Sequence, residues 1–179
     1  EFYTRDESGI PTTWVKRIRE SMARLTPHFS ANRTVREYTE QQYLPAASAY
    51  RARAADKGAV GKQMVDWRQA LEQRWATLRF GQVKVETKGN QHMYEIQVYL
   101  NDLDPKAVRV ELYADGVMGS SPVRQEMKHL LQPAGVSDGH IYIAAVSAAR
   151  PSSDYTARLM PNHNGVAIPL ENPRILWQR

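Results

Sequence analysis

The sequence predicts an α+β protein built by segments, with N-terminal helices followed by an antiparallel β-sandwich of immunoglobulin-like type. Three observations carry this expectation. Apolar residues recur with a period near 3.6 up to Phe80 and with a period of 2 beyond it. Turn chemistry then returns at Lys88-Gly89-Asn90, Asp115-Gly116, Ser137-Asp138-Gly139 and Asn164-Gly165, with no helical pattern between these points. The charge divides at the same place: Glu1 to Phe80 holds 14 Lys/Arg against 9 Asp/Glu, whereas Gly81 to Arg179 holds 10 against 10. The implied segments are 1–57, helical; 58–80, a connecting amphipathic helix; and 81–179, the sandwich.

Trp14, Ile18, Met22 and Leu25 are spaced by four, four and three residues, which puts them on one face of a helix that Thr12 or Thr13 can cap. Pro27 is expected to interrupt this helix. Ser30 is the N-cap of a second helix whose buried side is Val35, Tyr38 and Tyr43 or Leu44, so that two short helices meet near His28. Leu44-Pro45 should end or kink the second helix, because proline lacks a backbone donor and restricts the residue before it. The Ala/Arg-rich run from Ala46 to Ala55 has the propensity to resume it. Asp56-Lys57-Gly58-Ala59 marks a break. After it, Val60, Met64, Trp67, Leu71, Trp75 and Leu78 form the clearest helical stripe in the chain, and a stripe of this spacing is read as packed on a core.

The strands expected next are those around Val83/Val85, Tyr94/Ile96/Val98/Leu100 and Val108/Val110/Leu112. Arg124 to Leu131, Ile141 to Val146, Tyr155 to Met160 and Val166 to Leu170 follow, giving about seven in all. Short strands without intervening helices favour an antiparallel sandwich over a parallel sheet. Ser153-Asp154-Tyr155 at the start of a late strand resembles a tyrosine corner, in which the phenol bonds a nearby backbone group.

A hydrophobic content of 42% and a charged content of 24% are ordinary for a globular protein and argue against a disordered tail. No run is long and apolar enough to span a bilayer, and Glu1-Phe2-Tyr3-Thr4-Arg5-Asp6 lacks the layout of a signal peptide. With no cysteine there is no disulfide framework or thiolate metal site, which agrees with a reducing, cytoplasmic location. The net charge of +5 lies in the helical part, yet its positives alternate with negatives, as in Lys16-Arg17-Ile18-Arg19-Glu20. That pattern describes a solvated helix face, and neither nucleic acid nor membrane is expected as a partner.

No catalytic, cofactor-binding or metal-binding residue is singled out. Gly116-Val117-Met118-Gly119-Ser120-Ser121 has neither the spacing nor the lysine of a phosphate loop. His28, His92, His129, His140 and His163 do not stand at ligand spacing from one another or from carboxylates. His28 is expected at a helix junction and His163 in a polar turn. No carboxylate pair points to glycoside hydrolysis.

The string Gly9-Ile10-Pro11-Thr12-Thr13-Trp14-Val15, followed by Met22-Ala23-Arg24-Leu25-Thr26-Pro27-His28-Phe29-Ser30-Ala31-Asn32-Arg33-Thr34-Val35-Arg36-Glu37-Tyr38, resembles the closing segment of the α-glucan (glycogen/maltodextrin) phosphorylases. Tyr43-Leu44-Pro45-Ala46-Ala47, Val108-Arg109-Val110-Glu111-Leu112-Tyr113 and Tyr155-Thr156-Ala157-Arg158-Leu159-Met160-Pro161-Asn162-His163 are similar to the shorter bacterial and archaeal branch, whose members carry a β-rich extension. The resemblance implies that the helices end a Rossmann-like glycosyltransferase lobe. It also implies a longer parent that uses pyridoxal phosphate to cleave α-1,4-glucan with phosphate to glucose 1-phosphate. The family's cofactor lysine lies upstream of this segment, so no cofactor is expected in the fragment and the fragment alone is expected to be inactive. The resemblance places Arg33 and Tyr38 on a closing helix, where helix packing is expected over a substrate contact. The remainder of the catalytic domain is the expected partner, and the sandwich then either covers that domain or joins copies of the chain. In a second reading the sandwich is an accessory module that binds α-1,4-glucan on aromatics among Tyr94, Tyr99, Tyr113, Tyr142 and Trp177.

Overall fold

The computed structural model describes residues 1–130 and 139–179, and the chain divides into two compact units, Glu1–Val60 and Gly61–Arg179. The expected turn residues Ser137 and Asp138 and the strand end Leu131 lie outside the described residues.

The first unit is helical. Helix α1, Thr12–Phe29, starts after Pro11, whose carbonyl accepts the Val15 N–H at 2.9 Å, with no side-chain cap. Thr12 and Thr13 are already inside the helix, which corrects the expected threonine cap. The preceding segment is instead folded by Asp6, whose Oδ1 accepts from the N–H groups of Ser8 and Ile10 at 2.9 Å each. Pro27 also does not end α1: it sits in the last turn, where it withdraws one donor, and the helix runs on to Phe29. Ser30, with extended backbone, makes the break, and its Oγ accepts from the Arg33 N–H at 3.3 Å as a cap of α2, Ala31–Tyr38. Arg33 fastens the junction by donating to the His28 carbonyl at 2.6 Å and to Glu37 Oε1 at 2.6 Å. Tyr38 stacks on Tyr43. Both residues of the family-like string are therefore occupied within the helices.

The kink expected at Leu44-Pro45 is a π-turn over Thr39–Tyr43, in which the Leu44 N–H reaches the Thr39 carbonyl. Helix α3 then spans Leu44–Arg74 and is interrupted where the sequence breaks: Ala55 is extended, and Asp56, Lys57 and Gly58 have φ of 50°, 58° and 80°. Neither α1 nor α2 has a buried residue, which corrects the buried side expected of the second helix: Val35, Tyr38, Tyr43 and Leu44 are all exposed.

The second unit contains the rest of α3 and eight strands: β1 Arg79–Lys88, β2 Gln91–Tyr99, β3 Val108–Ala114, β4 Val123–Glu126, β5 Lys128–Leu130, β6 His140–Ser147, β7 Thr156–Pro161 and β8 Leu176–Trp177. They form two antiparallel four-stranded sheets with the orders β1-β2-β6-β5 and β4-β3-β7-β8. Tyr94, Ile96 and Val98 of β2 and Tyr142, Ala144 and Val146 of β6 share one core cluster with Val108, Val110, Leu112 and Ala114 of β3 and Ala157 and Leu159 of β7. Alternation sends these side chains to the inner faces, and burying them joins the sheets into a sandwich.

Two strand assignments need correction. Arg124 to Leu131 is not one strand: β4 belongs to one sheet and β5 to the other. Met127 between them is buried and donates its N–H to the Val110 carbonyl at 2.9 Å. Val166 to Leu170 forms turns, because Pro169 has no N–H for a ladder and the neighbouring groups bond each other. Glu171 N–H donates to the Ala167 carbonyl at 2.8 Å, and Glu171 Oε1 accepts from the Ala167 N–H at 2.9 Å. The edge position beside β7 is taken by β8.

The end of α3 packs on this core as its stripe requires. Leu71 is fully buried, Trp67, Ala70 and Trp75 lie against the same cluster, and Trp67 Nε1 donates to the Ala107 carbonyl at 3.1 Å. Tyr155, at the start of β7, donates its hydroxyl hydrogen bond to the Ser147 carbonyl at 3.0 Å, and Tyr94 does the same to Ser152 at 2.6 Å. Leu71→Ala is expected to destabilise the sandwich unit by about 2–5 kcal/mol, read as a lower urea midpoint at unchanged slope.

Candidate functional site

Of the five aromatics weighed as a sugar platform, the sandwich removes two. Tyr94 and Tyr142 are 4% and 3% exposed and belong to the core. Tyr99 lies under the Arg79 guanidinium, 3.8 Å from its ring centre. Tyr113 and Trp177 meet edge to face at 5.6 Å on the outer side of the second sheet, and the Arg158 guanidinium stands 4.5 and 5.3 Å from their ring centres.

Arg158 is held there by register. β3 and β7 place Glu111 opposite Arg158, and β7 and β8 place Arg158 opposite Trp177. Arg158 and Glu111 form a buried ion pair. The sequence reading missed this pair. Its only signal was a charged residue in the middle of two apolar strands, in Val110-Glu111-Leu112 and Ala157-Arg158-Leu159. With its guanidinium bound to a carboxylate and covered by two rings, Arg158 is a structural cation.

Three of the histidines are engaged by other partners, and the remaining two form a pair. The His28 carbonyl serves Arg33 at the helix junction. His92 is buried, with Nε2 donating to the Arg150 carbonyl at 2.9 Å and Nδ1 2.8 Å from Thr87 Oγ1. His163 bonds the Asn164 carbonyl at 2.8 Å, in a polar turn as expected, and its ring packs on Trp67 with centres 5.1 Å apart. His129 Nε2 and His140 Nδ1 stand 3.0 Å apart, brought together by the pairing of β5 with β6. Spacing rules for helices could not find this contact. Burial, and then the neighbouring His129, hold His140 below the ordinary imidazole range. Among the described residues no group of three or more His, Asp or Glu side chains could hold a metal ion.

A concavity lies beside α3. A groove of about 740 Å³ is lined by Asp66 and Trp67 of the helix, by Asp102 and Lys106, and by His163 and Asn164. It joins an aromatic face to carboxylates and an amide, the side chains that bind vicinal hydroxyls.

A helix packed on a two-sheet β-sandwich defines a β-domain that follows a helical segment in the chain. Residues 75–179 match the family model of the glycogen phosphorylase C-terminal domain. The chain belongs to that family. It is 31% identical over 180 residues to a glycogen phosphorylase of Mycobacterium tuberculosis, covering 91% of this chain and 20% of that protein. A maltodextrin phosphorylase of Thermococcus litoralis is 24% identical over 157 residues, which covers 84% of this chain and 18% of that protein. A glycogen phosphorylase of Aquifex aeolicus is 33% identical over 42 residues, 24% of this chain and 6% of that protein. The chain thus spans about a fifth of the length of the first two. Among the described residues no helix is long and apolar enough to cross a membrane.

Arg158→Leu, which leaves Glu111 buried without its cation, is expected to cost about 3–5 kcal/mol in urea unfolding, and Glu111→Leu/Arg158→Leu to recover most of that loss. For His140 the folded state takes up a proton less readily than the unfolded chain. Its contribution to stability is full above the ordinary value of 6.5 and is lost as pH falls through 6.5 toward the lowered value. A series of thermal melts between about pH 7.5 and 5 should show this decline, and His140→Gln should flatten it.

Proposed function

We propose that this chain is the C-terminal region of an α-glucan phosphorylase and acts in it as a structural and assembly element. Its full-length parent transfers a glucosyl unit from the non-reducing end of an α-1,4-glucan to phosphate, releasing glucose 1-phosphate in the cytoplasm. The match of residues 75–179 to the family carries the reading.

In this proposal residues 1–57 close a Rossmann-like catalytic lobe, 58–80 connect, and 81–179 form an immunoglobulin-like sandwich. The strand orders and the Tyr155 hydroxyl bond back to Ser147 support the last assignment. The first is supported by α1. Trp14, Ile18, Met22 and Leu25 are 38–63% exposed along one face, an apolar stripe that a helix carries in order to bury. The remainder of the parent's catalytic domain is its partner. Contact between copies of the chain is a second use for exposed surface of this kind.

Pyridoxal phosphate does not fit the residues present. A Schiff-base lysine needs a desolvated site, and all seven lysines of the chain are exposed. The cofactor is assigned to the rest of the parent.

A second reading, glucan binding by the sandwich, is favoured by the groove beside Trp67 with its carboxylates and Asn164. One titration separates the two. With pyridoxal phosphate and phosphate added, the chain is expected to release no glucose 1-phosphate from maltoheptaose; release would overturn the structural assignment. Heat of binding to maltoheptaose that vanishes in Asp66→Ala/Asp102→Ala would establish the accessory reading, and absence of heat would remove it.

A further inference from the structure

The crossing of the chain from β4 to β5 leaves a second groove, of about 660 Å³. Lys106 comes from the turn before β3, Arg109 from β3, Glu126 from the end of β4, Lys128 and His129 from β5, and Tyr142 from β6. Three fixed cations thus face one carboxylate. Among the described residues neither Lys106 nor Lys128 has an ion-pair partner. Arg109 Nε comes only to 4.0 Å from Glu111, a carboxylate already bound by Arg158, and this nitrogen is buried without a hydrogen bond.

The floor of the groove supplies an independent observation. Tyr142 is 3% exposed, lines the groove, and its hydroxyl has no hydrogen-bond partner among the described residues. A buried hydroxyl without a partner costs about 1–3 kcal/mol, so such groups are rare in folded proteins and call for an acceptor. Burial pushes the phenol up to about 12, so it stays protonated and can donate to an anion. His129, its ring 5.0 Å from that of Tyr142, stands at the same place.

We propose that this groove is a binding site for a small phosphate-class anion, held by Lys106, Arg109 and Lys128 with the Tyr142 hydroxyl as its buried donor. A tetrahedral dianion matches the surplus of two positive charges and offers acceptors in several directions at once, as donors from four separate elements require. The volume suits a small molecule. Free phosphate and the phosphoryl group of a sugar ester share this chemistry. The site is argued from the groove alone and stands whether or not the parent is a phosphorylase.

The test is a titration of the whole chain with inorganic phosphate, glucose 1-phosphate and sulfate at constant ionic strength, following the ring resonances of His129 and His140 by NMR. Saturable shifts below about 10 mM are expected for a phosphate-class ligand, the range for a few charge-assisted hydrogen bonds in water. Tighter binding of glucose 1-phosphate than of phosphate assigns a sugar ester; equal affinities assign the free anion. Lys106→Gln/Lys128→Gln, whose side chains are exposed and whose fold is not at risk, should weaken binding by about tenfold or more, and Tyr142→Phe by about tenfold. If Tyr142→Phe does not fold, the lysine variant alone decides. No saturable shift, shifts unchanged in the lysine variant, or sulfate and phosphate binding alike with no loss in either variant would overturn the proposal.

Discussion

The β-domain depends on one residue-long crossing. Met127 keeps its N–H on the Val110 carbonyl, so the second sheet's pairing extends to it, and the next residue already pairs in the first sheet. A chain that makes this switch with a single buried residue ties the two sheets at one corner. The apolar faces of β2, β6, β3 and β7 can then meet as one core. The tie is covalent, short and hydrogen-bonded. The tyrosine bonds at the Ser147 and Ser152 carbonyls fasten the turn that leads from β6 to β7, which also passes from one sheet to the other.

The architecture was legible because two periods are hard to confuse. The change from 3.6 to 2 at Phe80 falls at the start of β1, Arg79–Lys88, and the turn at Gly89 and Asn90 joins β1 to β2. The break at Asp56-Lys57-Gly58 was legible for its turn residues, and Ser30 for its capping side chain. What failed were decisions that depend on where a backbone donor is used. Pro27 looked like a terminator, but it withholds a single donor two residues before the helix ends at Phe29, so no further turn depends on that bond. Val166 to Leu170 has the alternation of a strand, yet Pro169 gives the ladder nothing and Glu171 satisfies the segment locally. The split of Arg124 to Leu131 cannot be read from alternation, since a strand that changes sheets keeps its period.

Functional chemistry was less legible than fold, for a related reason. Glu111 with Arg158, and His129 with His140, are cross-strand pairs, and only register brings them together. A single sequence shows the strands but not which residues face each other. The helical unit shows the reverse case. Its helices were read from their periodicity, but the side expected to be buried in the second, Val35, Tyr38 and Tyr43 or Leu44, is exposed. The relatives are about five times longer than the segment they share with this chain.

The left-handed run in α3 has a thermodynamic consequence. Helix growth is cooperative because each added residue inherits a hydrogen bond from the turn already formed, and three successive residues at positive φ end that inheritance. Residues before Ala55 and residues after Gly58 therefore nucleate, fray and melt as separate helices, although they read as one cylinder in sequence order. Heat capacity and hydrogen exchange would register two cooperative blocks, so damage to the helical segment need not propagate into the sandwich. A β-domain insulated in this way can persist folded while the segment joined to it frays.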